Sequence, residues 1–148
     1  MRAILPLACV AAAAVVAVSA RGTAPAHTAD IARNGRSPST NYKLDCQGCH
    51  LPDGSGLAGS VPSIKGELVR FLSVEGGRAF LIQVPGSANS KLSDADLADL
   101  MNWLLIAKGG ATAGSFKEYT ADEVAAYRAS RLVDVNGVRA QLVKGFAP

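Results

Sequence analysis

Cys46-Gln47-Gly48-Cys49-His50 is the stretch on which the reading of this 148-residue chain turns. On one turn of helix, positions three apart share a face, so the two thiols look the same way and an imidazole follows directly beside them. Two cysteines at this spacing with histidine next in line fit a covalently tethered haem. Each thiol can add to one vinyl group while the histidine points at the iron.

The N-terminus bears on how many cysteines compete with these two. Met1-Arg2 leads into an apolar run from Ala3 to Val18 that closes on Val18-Ser19-Ala20, small residues of the kind a signal peptidase needs. Residues 1–20 are read as a removable secretory signal. An uncleaved membrane anchor is the rival, but a spanning helix needs about 20 apolar residues and this run is shorter. A lipid-modified Cys9 would leave most of the apolar run behind the cut. Removal of the leader takes Cys9 and leaves Cys46 and Cys49. It also takes Arg2, so 14 basic residues face 12 acidic ones. Two ionised propionates would cancel that excess. No basic run with interleaved aromatics points to nucleic acid.

Other chemistries use the same residue types. A structural zinc site needs four ligands, and beyond Cys46, Cys49 and His50 the mature chain offers only the distant His27, without a second CxxC pair. A thiol–disulfide oxidoreductase would place its CxxC at the start of a helix after a strand, in a βαβ pattern absent here. A structural disulfide is the remaining alternative. Haem attachment is preferred over all three.

Around the motif the chain is organised for helices and one long loop. Residues 21–34 form a small, polar lead-in, with Pro25 and Pro38 set against any long helix up to Thr40. Leu51 to Gly66 carries Pro52, Gly54, Gly56, Gly59, Pro62 and Gly66, a loop wrapped around something. Leu68, Phe71, Leu72, Phe80, Leu81 and Val84 suit two short helical pieces divided at Gly76-Gly77. Ser93 with Asp96 resembles a capping box, opening a helix whose stripe is Leu97, Leu100, Met101, Leu104 and Leu105 and which Gly109-Gly110 ends. Thr120 and Glu123 repeat the capping signal for a helix to about Ala129, and a last helix runs from about Asp134 to Lys144. No internal repeat and no alternating strand pattern is present.

From about Gly35 to Ala107 the chain resembles class I c-type cytochromes. The resemblance rests on the CxxCH motif, on Tyr42 four residues before it, on Pro52-Asp53-Gly54-Ser55-Gly56 and Gly59 to Gly66 after it, and on Leu92 to Leu97 with Trp103-Leu104. It implies a mostly α fold: a small helical core around one covalent haem c, held by Cys46 and Cys49 with His50 as axial iron ligand. The cytochrome domain then spans 35–110, with a C-terminal helical extension over 111–148 packed on it or reaching to a partner. It further implies that the Pro62 carbonyl accepts the proton of the far His50 nitrogen. The function expected is one-electron transfer in the periplasm, without catalysis, between redox proteins. A dehydrogenase would be the donor and another cytochrome or an oxidase the acceptor, with membrane contact only through such a partner.

One departure stands out. Members of this family usually supply a methionine to the iron from the loop before the last core helix, and Gln83 to Leu92 contains none. Met101 lies on the apolar stripe, where packing is the preferred reading over ligation. Asn89, Lys91, His27 and an open sixth position are the other options. The gap motivates an alternative reading as a small-ligand binder or haem enzyme, although no distal histidine and arginine pair supports peroxide chemistry. The tail beyond Gly114 motivates another, a cytochrome subunit of a larger dehydrogenase.

Overall fold

The computed structural model describes residues 33–147. The leader, Cys9, His27 and almost all of the lead-in fall outside them. Among the described residues there are eight helices and no strand: α1 (Pro38–Asp45), α2 (Gln47–His50), α3 (Leu68–Phe71), α4 (Gly77–Gln83), α5 (Pro85–Ala88), α6 (Asp94–Ala107), α7 (Ala121–Arg128) and α8 (Val135–Lys144). None is long and apolar enough to cross a membrane.

Pro38 starts a helix instead of breaking one. It occupies the first turn of α1, where its missing N–H costs nothing and its fixed φ suits the helix, behind Ser37, whose hydroxyl caps the Thr40 amide at 3.2 Å. Asn34, assigned to the lead-in, is already tied to the domain. Its amide donates to Asp96 Oδ1 at 3.1 Å and its side chain to Asn41 Oδ1 at 3.1 Å.

The helix at Ser93 forms as the sequence suggests. Ser93 Oγ accepts from the Asp96 amide and donates to Asp96 Oδ2, and Leu97, Leu100, Met101, Leu104 and Leu105 are all buried. α6 crosses α1, with the Tyr42 and Trp103 rings 5.9 Å apart. The two helical pieces between Leu68 and Gln83 form as α3 and α4. Phe71 of α3 stacks on Phe80 of α4 at 5.2 Å. Gly77 allows this close turn, since a Cβ there would run into the Phe71 backbone.

Residues beyond Gly110 share this core. Tyr119 and Val124 are among the most deeply buried side chains. Asn102 of α6 exchanges two hydrogen bonds with the Tyr119 backbone, at 3.0 and 2.7 Å. Arg78 of α4 grips Glu123 of α7 through two bonds of 2.9 Å and lies 4.1 Å over the Tyr119 ring. Thr120 caps α7 at the Glu123 amide, but the Glu123 carboxylate turns to Arg78 and Tyr127 instead of back to the cap, so only half of the expected box is made. The chain then returns along α8, and Phe146 meets Phe71 edge-on at 4.8 Å.

Candidate functional site

The motif is presented by a sharp break between two helices. The Cys46 amide still donates to the Tyr42 carbonyl as the cap of α1, while its own carbonyl accepts from Cys49 and His50, opening the single turn of α2. The two cysteines form no disulfide; Cys46 is half-buried and Cys49 exposed. A helix, α1, leads directly into α2, where a βαβ oxidoreductase places a strand. Burial pushes the Cys46 thiol up to about 11, helped by the neighbouring Asp45 and Cys49, so it is protonated at neutral pH. A thiolate poised for disulfide exchange needs the opposite shift. Among the described residues no three His, Cys, Asp or Glu side chains gather as a bare-metal site.

After His50 the chain reverses at once. Leu51 has φ 61° and ψ 165°, a region that side chains other than glycine rarely adopt. Tyr42 Oη donates to the Leu51 carbonyl at 2.5 Å and holds the reversal. The following loop closes on itself: Leu57 and Val61 exchange backbone bonds of 2.9 and 2.8 Å, and the Gly54 carbonyl accepts from Ile64 and Lys65. Gly56 has φ 72°, and a Cβ on it would strike the carbonyls of Val61 and Pro62. Only glycine lets the two arms of the loop run this close.

The loop thereby brings the Pro62 carbonyl to 3.2 Å from His50 Nδ1. A carbonyl can only accept, so Nδ1 carries the proton and Nε2 keeps its lone pair. Burial lowers the His50 pKa more than this bond raises it, which favours the neutral ring. The Pro62 role implied by the family resemblance is thus present in the geometry.

Cys46, Cys49 and His50 stand on the border of a cavity of about 440 Å³, within the range of roughly 300–1,000 Å³ typical of cofactor and ligand sites. Its walls are mostly carbon: Leu68 and Phe71 of α3, Phe80 and Leu81 of α4, Val84 and Pro85, and Leu97, Leu100, Met101 and Leu104 of α6. Met101 is therefore both core and wall. Asn89 and Lys91 are exposed and do not line the cavity, whereas Ser87 and Ser90 from the same segment do.

The C-terminal helix completes the enclosure with Val135, Asn136 and Arg139. Sequence reasoning missed these three and the two serines. Hydrophobic periodicity marks which face of α8 is apolar but carries no sign of what that face meets.

A large flat apolar group carrying two vinyl arms fits this donor set. Two thiols on one helical face, an imidazole with one nitrogen anchored and the other free, and a carbon-walled cavity beside them are what covalent haem attachment requires.

No family model matches the chain. Two curated proteins do, both of them cytochromes c-552 of Thermus thermophilus, each 33% identical over 106 residues. The alignments take in 59% of this chain and 81% and 72% of the two relatives.

Proposed function

This chain belongs to the class I c-type cytochromes, electron-transfer proteins that bear a covalent haem c, and from that premise we propose that Cys46 and Cys49 hold the haem and His50 ligates its iron. The observation that carries the assignment is the placement of the three residues together on the border of the carbon-walled cavity, with His50 Nδ1 fixed by Pro62. The chain functions as an exported one-electron carrier in the periplasm, between a dehydrogenase and a downstream cytochrome or oxidase. The apolar run and Val18-Ser19-Ala20 support export.

Each part of the site has a separate task. Cys46 and Cys49 would each hold the haem through one thioether, the thiol hydrogen passing to the neighbouring vinyl carbon so that no oxidant would be consumed. The bound haem supplies iron that alternates between two oxidation states. Pro62 fixes the imidazole tautomer and, by accepting from Nδ1, makes Nε2 a stronger donor. The carbon walls exclude water and disfavour the more highly charged oxidation state, which sets the potential together with the ligands.

The extension packs on the core through Tyr119, Val124 and Phe146.

Intact mass of the denatured mature protein tests the assignment. The expected value is the chain from about Arg21 plus one haem. A bare polypeptide mass would overturn it. Spectra of both oxidation states, with and without carbon monoxide, separate a closed carrier from an open ligand binder.

A further inference from the structure

We propose that Arg128, in the C-terminal extension, is a positioning residue for the haem cleft: it fixes the segment from Ser87 to Asp94 as a wall and so restricts access of outside ligands to the iron. The inference rests on the haem assignment above. It gives the extension a function in the redox site.

The segment needs an external anchor. It runs from the second half of α5 through the cap of α6 to the first residue of that helix, and it is where the family's loop ligand would sit. Four of its residues bond to one guanidinium. Arg128 Nη1 donates to the Leu92 carbonyl at 2.9 Å and to Asp94 Oδ1 at 2.7 Å. Nη2 donates to the carbonyls of Ser87 and Ser90, each at 3.2 Å, and to Ser90 Oγ at 2.7 Å. Ser87, Ser90 and Leu92 all line the cavity. The arginine thus grips the outside of the wall whose inside faces the cofactor space.

Geometry favours arginine here for a physical reason. The planar fork presents donors in fixed directions and can span several carbonyls at once, whereas an ammonium is a compact point charge. The Arg128 side chain is only 15% exposed, so its bonds to the segment are made largely out of water. A second, separate anchor ties the same helix to α4, through Glu123 and Arg78. Glu123→Gln weakens that anchor while leaving every bond between Arg128 and the wall in place, which provides a control.

The experiment measures carbon monoxide association to the reduced haem protein in Arg128→Met, Arg128→Lys and Glu123→Gln, beside thermal midpoints and reduction potentials. Both Arg128 variants should bind carbon monoxide faster than wild type by about tenfold, the factor that a change of ~1.4 kcal/mol represents. The lysine variant keeps the charge beside Asp94 and is the milder test if the methionine variant does not fold. Glu123→Gln should lower the midpoint yet leave the association rate within about twofold of wild type, since the wall keeps its anchor. Unchanged rates in Arg128→Lys, or rates that follow the midpoint equally in all variants, would overturn the proposal. A wild-type protein without haem by mass would instead remove the reading on which it rests, and this proposal with it.

Discussion

Tyr42 and Leu51 are joined by a 2.5 Å hydrogen bond from the phenol to the backbone carbonyl, across the reversal that follows His50. The Tyr42 ring is buried, with its pKa raised mainly by that burial, so its hydroxyl stays a donor. Leu51 holds a conformation that costs a residue with a side chain about 1–3 kcal/mol. The bond therefore stabilises a turn that would otherwise relax, and the turn decides where His50 points.

Tyr42→Phe should destabilise the protein by about 0.5–1.5 kcal/mol, the net worth of one hydrogen bond. The cost should shrink in a Leu51→Gly background, because glycine accepts the turn without help. Denaturant unfolding of the two single variants and the double variant gives the coupling. Strict additivity would mean that the phenol does not hold the turn.

Gly56→Ala should have a larger effect than an ordinary loop substitution. The left-handed conformation alone costs roughly 1–2 kcal/mol with a Cβ, and the new methyl must push away the carbonyls of Val61 and Pro62. The second carbonyl is the partner of His50. Loss of that bond weakens imidazole donation, so the reduction potential should rise along with the loss of stability. A destabilised variant with an unchanged potential would separate Pro62 from the tuning of His50.

The link between Arg78 and Glu123 predicts an acid response. Arg78 holds the Glu123 pKa below its ordinary value, assisted by Tyr127 and Lys117 and opposed by burial. A carboxylate depressed in the folded state contributes stability above its unfolded pKa of about 4.3 and loses it as pH falls through the folded value. Wild type should therefore lose stability over that acid range, and Glu123→Gln should lose less there while being weaker at pH 7. Thermal midpoints of the two proteins between about pH 7 and pH 3 should converge on acidification; parallel curves would contradict the assignment.

The motif, the loop after it and the helix from Ser93 were legible because each rests on local chemistry: a spacing, a turn residue or a cap. Pro38 was misjudged for the same reason, since a proline that breaks a helix in its interior starts one at its first turn. The cavity wall was another matter. Ser87, Ser90, Asn136 and Arg139 reach it through tertiary packing, and Arg128 meets its partners 34 to 41 positions away in sequence. No periodicity records such contacts. Asn89 and Lys91 drew attention only by lying where a ligand is usual, and their exposure shows how little position along a loop says about orientation.

Met101 is where packing and ligation compete, and one substitution divides them. The residue is 4% exposed, within the apolar stripe of α6, and it also lines the cavity. A leucine there keeps nearly the same volume and branches where methionine is linear, so the packing cost should stay under about 1.5 kcal/mol. If the sulfur ligates iron, Met101→Leu should change the spectrum sharply and lower the potential, because thioether ligation favours the reduced form. We expect the spectrum to remain almost unaltered. A methionine in mid-helix, flanked by Leu97, Leu100, Leu104 and Leu105, is already explained by the stripe it completes. The same variant should then bind carbon monoxide at the wild-type rate, since the wall held by Arg128 is intact. A lost absorption feature in an otherwise stable Met101→Leu protein would assign the sixth ligand to α6 and overturn the packing reading.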